Sequence, residues 1–213
     1  MKHGVVVGLL VAACGMQVAS AGMFGPTAYL SLDDSPLDLF GGSLAYFENF
    51  EDGVFNIPGV TASTGSVIGP GSNTDSVDED DGNIDGSGMA GHSFFSASGS
   101  VGIQFYFDAD VLGQLPTQAG LVWTDGLGTI TFTAFDGDGN EIGTLTGDHA
   151  DGAFGDTTGE DRFYGVEFAA GIGSIFISNE SGPIEVDHLQ FVVPGPSGLA
   201  LLGLGGLALR RRR

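Results

Sequence analysis

Short segments in which apolar and polar residues alternate constrain the fold of this chain more than any other feature. The clearest covers residues 129–135, where threonine at positions 129, 131 and 133 alternates with isoleucine, phenylalanine and alanine, and phenylalanine follows at position 135. Because side chains along a β-strand point to opposite faces in turn, this alternation predicts a strand with one buried face. Residues 136–140 (D-G-D-G-N) supply turn residues that tolerate positive φ, and residues 141–145 return as a second strand. Residues 129–145 are therefore predicted to form a β-hairpin.

Similar segments recur along the chain at the spacing of roughly 8–12 residues that is typical of β-sandwiches. No segment between the two chain ends shows the 3.6-residue apolar stripe of a helix. The sequence thus predicts an all-β fold, a single antiparallel β-sandwich of jelly-roll type over residues 43–192, with a core rich in phenylalanine. Residues 22–42 are predicted to form a mobile leader or an irregular edge, and residues 61–91 a long loop. The other predicted strands cover residues 44–51, which residues 54–57 extend or pair with, and residues 101–107, 120–124, 163–168, 172–178 and 184–191.

The amino end has the form of a secretory signal peptide over residues 1–21. A weakly basic start precedes an apolar run, and the A-x-A site formed by Ala19 and Ala21 lies directly before Gly22. A competing interpretation is a lipobox at residues 11–14, in which Cys14 becomes lipidated after cleavage before it. We prefer cleavage after Ala21 because the A-x-A site closes a longer apolar run. The single cysteine is then removed, and the mature chain has no disulfide.

The carboxyl end, residues 193–213, combines three features in a fixed order. The motif Val193-Pro194-Gly195-Pro196 carries two prolines, which fix φ and remove two backbone donors. An uncharged segment of mainly Leu, Ala and Gly follows over residues 197–209 and predicts a short apolar helix. The sequence ends in a basic cluster, whose charge resists translocation and favours the cytoplasmic side of a membrane. This cluster consists of Arg210, Arg211, Arg212 and Arg213.

This tail resembles the PEP-CTERM sorting signal, which bacteria process with a membrane cysteine protease of the exosortase type. The usual family pattern is Val-Pro-Glu-Pro, a short apolar helix and an arginine cluster, and Gly195 stands where the family most often has Glu. Residues 165–191 also resemble the final strands of jelly-roll modules that often precede such tails. The resemblance implies export, transient anchoring in the inner membrane through the C-terminal helix, and processing near residues 193–196. It further implies a place at the cell surface, in the outer membrane or in the extracellular matrix, associated with exopolysaccharide.

The charge of the chain is strongly acidic, with 27 acidic residues against six basic ones and a formal net charge of −21. Lys2 and the four terminal arginines lie in the two end segments, so Arg162 is the one basic side chain of the body apart from histidine. Such a body repels polyanions by Coulomb repulsion. The composition therefore excludes nucleic acid as a partner.

Two loops carry oxygen ligands with the spacing of the first half of a calcium loop, D-x-N-x-D-G. In the first loop, the twelfth position is His92 instead of the bidentate glutamate; in the second, the sixth position is Glu141 instead of glycine. A solvated acidic loop and a hairpin turn explain the same residues without metal, so each loop keeps two interpretations. The candidate calcium ligands are Asp81, Asn83 and Asp85 in the first loop and Asp136, Asp138 and Asn140 in the second.

The last predicted strand places Glu185 and Asp187 on one face and His188 on the other. Acidic residues at such a position could hold a structural ion, but we prefer the polar outer face of an edge strand. Catalytic motifs are absent from the sequence: it contains neither G-x-S-x-G nor H-E-x-x-H. We therefore expect that the protein is not an enzyme.

Taken together, the sequence predicts an exported surface or matrix protein that is structural or adhesive and is associated with exopolysaccharide. The alternative is a calcium-dependent carbohydrate-binding module. Trp123 and Tyr106 could form a platform on which a sugar stacks, but the sequence does not separate exposed from core aromatic residues. Beyond the exosortase-type enzyme, a surface glycan is the expected partner, and calcium the one candidate cofactor.

Overall fold

The computed structural model describes residues 20–39 and 43–195, and they form a nearly all-β body with short helical turns. The predicted all-β antiparallel fold is confirmed. The strands are β1 (Gly22–Ala28), β2 (Leu44–Glu48), β3 (Val60–Ala62), β4 (Ser66–Ile68), β5 (Ser93–Ser96), β6 (Ile103–Phe107), β7 (Gln118–Asp136), β8 (Glu141–Gly147), β9 (Arg162–Glu167) and β10 (Ile172–Val193). The helical segments are α1 (Ala109–Leu112) and the 3-10 turns η1 (Leu32–Asp34), η2 (Asp78–Asp81) and η3 (Thr158–Glu160).

Two long central strands, β7 and β10, organise the sheet and pair with each other along almost their whole length. At one end they belong to what we call the first half-sheet, with the order β1-β9-β7-β10-β2. At the other end they belong to the second half-sheet, with the order β8-β7-β10-β6-β3. Between the two, β5 pairs with the middle of β10, and β4 pairs with β5.

The core lies between the two half-sheets, which pack face to face. Phe107 of the second half-sheet packs against Phe191 of the first, with ring centroids 5.1 Å apart, and Phe132 stacks on Tyr164 at 6.0 Å. The central strands bend where their pairing shifts register, around residues 179–184. Gly126 faces this bend, and a Cβ there would lie 2.7 Å from the side chain of Asn179. Only glycine therefore fits where the strands pass from one half-sheet to the other.

The predicted hairpin over residues 129–145 is confirmed by the pairing of β7 with β8. Residues 120–124 and 129–135, predicted as separate strands, are parts of β7, and residues 172–178 and 184–191 are parts of β10. Glycine or asparagine interrupts the short apolar runs, so the sequence pattern does not show that β7 and β10 are each one continuous, bent strand. The long loop predicted for residues 61–91 contains β4, η2 and most of β3.

The predicted leader, residues 22–42, differs most from the sequence interpretation. Its first part is edge strand β1, which pairs with β9. The following segment covers the outer face of the first half-sheet, where the fully buried Tyr29 packs against Phe163 at 6.0 Å. Leu37 and Leu39 also belong to this second, smaller core. Prolines and glycines interrupt the alternation of apolar and polar residues in residues 22–42, so the sequence pattern does not predict strand β1. The few apolar residues of this region are nevertheless enough to cover the outer face of the first half-sheet.

Candidate functional site

An open cleft of about 720 Å³ lies on the outer face of the second half-sheet. Its floor is built by β6, where Ile103, Phe105 and Phe107 face the core and the alternate residues Gln104 and Tyr106 therefore face outward. Its walls come from the segment around α1 and from the turn between β7 and β8. Because the strand period is two, the same alternation that fills the core also builds this polar floor.

The cleft presents one exposed aromatic ring among polar groups. Tyr106 is 45% exposed, and its hydroxyl donates a hydrogen bond of 3.0 Å to Gln104, whose amide donates at 2.9 Å to Ser174. Asp108 and Asp136 stand at the rim. Of the two aromatic residues considered as a sugar platform, Tyr106 is exposed. Trp123 is fully buried in the core and is unsuited to this role.

A second candidate lies on the other half of the molecule, where Asp80, Asp187 and His188 come together. One ligand atom from each of these residues lies within 4.8 Å of the others, and within residues 20–39 and 43–195 no other group of three His, Cys, Asp or Glu side chains meets this criterion. The Nε2 atom of His188 lies 3.0 Å from Oδ1 of Asp80. We call these three residues the His188 cluster.

The backbone of β10 explains how two consecutive residues reach the same point. In a regular strand, Asp187 and His188 would point to opposite faces. Here the pairing with β7 shifts register between Asp187 and Gln190, and His188 has a φ of +44°. Such a bulge redirects a side chain. The sequence interpretation of a polar edge-strand face is therefore wrong, because β10 is central and Glu185, Asp187 and His188 are buried.

The surroundings of the His188 cluster hold its side chains in place. The Nδ1 atom of His188 lies 2.9 Å from the hydroxyl of Tyr29, which also accepts a hydrogen bond from Gln190. Asp187 accepts hydrogen bonds from the backbone amides of Val77 at 3.0 Å and of His188 at 2.6 Å. Burial raises the pKa of Asp187 well above its ordinary value, and the neighbouring Asp80 raises it further. The His188 cluster thus joins η2, β10 and the segment around Tyr29 that follows β1, which we call the Tyr29 segment.

A layer of further buried carboxyl groups lies next to the His188 cluster. Burial raises the pKa of Asp75 to about 9, of Glu160 to about 8 and of Asp125 to about 6, and it raises that of Asp161 well above its ordinary value. Neighbouring carboxylates add to these shifts in the pKa values. All four residues are at most 3% exposed, and each has at least one buried oxygen without a hydrogen-bond partner. We call these four residues the carboxyl layer.

The calcium ligands predicted from the sequence lie elsewhere. In the first loop, Asp85 is exposed, and Asp81 accepts a hydrogen bond from the backbone of Asn83. In the second, Asp136 accepts hydrogen bonds from Asn140 and from the backbone of Asp138, and these bonds lower its pKa. Both arrangements are those of self-contained turns. Calcium binding at either loop stays a prediction.

The predicted sorting motif begins inside the body. Val193 is the last residue of β10, is 1% exposed and pairs with Leu44. The carbonyl of Pro194 accepts a hydrogen bond from Gln114, and Gly195 is the last described residue. Pro196 and the cluster Arg210–Arg213 lie outside the described residues, as do Ala19 and the possible lipid site Cys14.

Sequence reasoning missed most of the two buried clusters. Asp75, Asp80, Glu160 and Asp161 carried no motif, and the signal that was present, the density of acidic residues in the loop before β5, also fits a solvated loop. A comparison with protein-family models finds no match, and a search of curated proteins finds no similar sequence. In the described part of the chain, no helix has the length and apolar character needed to cross a membrane.

Proposed function

We propose that this protein is an exported, non-catalytic β-sandwich of the cell surface or extracellular matrix, and that its body binds surface polysaccharide in the cleft at Tyr106. The observation that carries the proposal is the exposed Tyr106 ring in a polar cleft. Pyranose rings have an apolar face of C–H groups that packs on an aromatic ring, and hydroxyl groups at the edge that need polar partners. The cleft offers both.

The polar groups around Tyr106 suit hydroxyl groups better than anionic ligands. The carboxylates of Asp108, Asp110 and Asp136 accept hydrogen bonds, and the amide of Gln104 both donates and accepts them. An anionic ligand would be repelled by the same carboxylates. A neutral or weakly charged polysaccharide is therefore the ligand class that fits.

Export and sorting rest on the two chain ends. The A-x-A site before Gly22 and the PEP-CTERM-like tail support secretion, retention in the inner membrane and processing by an exosortase-type enzyme. The body fits this route because no disulfide is needed to hold it: its two half-sheets enclose an apolar core of their own. Adhesion or matrix structure follows as the role of such a protein.

We expect the substitution Tyr106→Ala to weaken binding of purified matrix polysaccharide about tenfold, because the loss of a stacked aromatic ring costs on the order of 1.5 kcal/mol and each 1.4 kcal/mol is a factor of about ten. The measurement is isothermal titration with the full chain. Phe154→Ala is the matched control, since Phe154 is also exposed and does not line the cleft. Equal affinity of both variants and the unchanged protein would refute the cleft as the binding site.

Repeating this titration in the chelator EGTA, with and without added calcium, tests the alternative of a calcium-dependent carbohydrate-binding module. Binding that disappears with EGTA and returns with calcium supports that alternative. Binding that is unchanged by EGTA supports the cleft acting by stacking and hydrogen bonds alone.

The sorting proposal predicts the ends of the mature protein. We expect the protein isolated from its native host to begin at Gly22 and to lack Arg210–Arg213, as measured by intact mass and by sequencing of the terminal peptides. A variant with Pro194 and Pro196 both replaced by alanine is expected to keep its C-terminal arginines. A full-length C-terminus on the unchanged protein would refute processing, and a lipid on Cys14 would replace the predicted cleavage after Ala21.

A further inference from the structure

The His188 cluster is spaced as ligands around one ion. Nitrogen and oxygen ligands bind a divalent transition metal at about 2.0–2.2 Å, so neighbouring ligand atoms lie about 3 Å apart and opposite ones little more than 4 Å apart. The distance of 3.0 Å between Nε2 of His188 and Oδ1 of Asp80 fits neighbouring ligands. An atom of Asp187 completes a group within 4.8 Å.

Asp80 supplies a second, independent observation that a bound cation would explain. Its side chain is 5% exposed, and its Oδ2 atom is buried without any hydrogen-bond partner. A buried carboxylate oxygen without a partner is costly, because it loses its hydration and gains nothing in return. The carboxyl group of Asp187 lies against it and is fully buried. Two carboxylates in contact repel each other unless a proton or a cation lies between them.

The groups behind the ligands match those expected around a metal. A histidine ligand is usually held by a hydrogen bond to its other ring nitrogen. His188 meets this condition through the hydroxyl of Tyr29 at 2.9 Å, and Gln190 fixes the Tyr29 hydroxyl in turn. The backbone amides of Val77 and His188 fix the orientation of Asp187.

We propose that Asp80, Asp187 and His188 bind a divalent transition-metal ion. One imidazole and two carboxylates are a donor set of mixed nitrogen and oxygen, which suits zinc or manganese better than calcium, since calcium takes oxygen ligands alone. This site is distinct from the two loops with calcium-like spacing and from the cleft at Tyr106. The bound ion ties η2 to the bulge of β10 and thereby holds the acidic loop on the first half-sheet.

The proposal predicts that the full chain, freed of metal with a chelator, binds one equivalent of zinc in isothermal titration. Asp80→Asn and His188→Asn are expected to weaken this binding at least about tenfold, because each removes a ligand. Asparagine keeps the shape of aspartate, and at position 188 it tolerates a positive φ better than most residues. Zinc is also expected to raise the melting temperature of the unchanged protein by more than that of the two variants.

Two controls carry the same chemical changes at other places. Asp33→Asn alters an exposed aspartate of η1, and His92→Asn alters a histidine that is paired with Glu51. Both are expected to bind zinc as the unchanged protein does. Loss of zinc binding in His92→Asn with retention in His188→Asn would overturn the proposal, as would the absence of zinc binding to the unchanged chain.

A measurement without any substitution keeps the test valid if the variants fail to fold. X-ray absorption of the zinc-loaded protein is expected to show one imidazole and otherwise oxygen ligands at about 2.0–2.2 Å. A shell with oxygen alone, or with two or more imidazoles, would place the ion elsewhere and overturn the assignment.

Discussion

Replacing Phe191 by alanine is expected to lower the free energy of unfolding by about 3–5 kcal/mol, which is the usual range for a fully buried phenylalanine. Phe191 is 0% exposed, stacks on Tyr46 with ring centroids 4.6 Å apart and packs against Phe107 across the core. Its loss leaves a cavity between the two half-sheets as well as removing buried apolar area. The measurement is guanidinium unfolding followed by circular dichroism.

The control for this substitution is Phe154→Ala, which removes the same group from a ring that is 54% exposed. Its effect is expected to stay within about 0.5 kcal/mol. If Phe191→Ala also fell within that range, Phe191 would not lie in the contact between the half-sheets, and the packing of the sandwich would have to be revised.

Raising the pH from 5 to 9 in a chelating buffer is expected to lower the free energy of unfolding by an amount on the order of 5 kcal/mol. The cause is the carboxyl layer, in which the pKa values of Asp125, Glu160 and Asp75 are raised to about 6, 8 and 9. These groups bind their protons more tightly in the folded chain than in the unfolded chain. Their contribution to stability is therefore fully present at a pH below about 4, which is the pKa of these groups in the unfolded chain. It is lost as the pH rises through the higher pKa values of the folded chain.

Charged side chains next to the carboxyl layer raise some of its pKa values and lower others. Asp78, Asp151 and Glu185 raise the pKa values of its members by repulsion, whereas Arg162 lowers those of Glu160 and Asp161. We expect Asp75→Asn to flatten the dependence of stability on pH, because asparagine imitates the protonated acid at every pH. Asp138→Asn, on the exposed turn between β7 and β8, is expected to leave the dependence unchanged. Stability that rises between pH 5 and 9 would contradict the buried state of these carboxyl groups.

The fold class followed from the sequence because period-two alternation is a local signal. The hairpin of β7 and β8 and the position of β6 and β9 needed only the alternation and the turn residues between them. The continuity of β7 and β10 did not follow, because it depends on where glycines such as Gly126 allow a strand to bend, which is decided by packing in three dimensions. The packing of the Tyr29 segment on the first half-sheet is likewise a tertiary contact, so it could not be predicted from the local sequence pattern.

The candidate sites were predictable to different degrees. Tyr106 could be singled out as an aromatic residue within an alternating strand, but its exposure became clear only when the side of β6 that faces the core was known. The regular two-residue period of a strand assigns the neighbours Asp187 and His188 to opposite faces of the sheet. The bulge that brings them to Asp80 has no sequence signature, and the residues it joins are separated by more than a hundred positions.

The position of β10 has a consequence for the time at which the protein can fold. This strand contacts β7 along both half-sheets and also holds β2, β5 and β6, yet it is the last strand of the described chain. A chain that ends before Ile172 lacks the strand that pairs with β2, β5, β6 and β7. We therefore expect such a truncated chain to stay open and accessible, because neither half-sheet can be completed without β10.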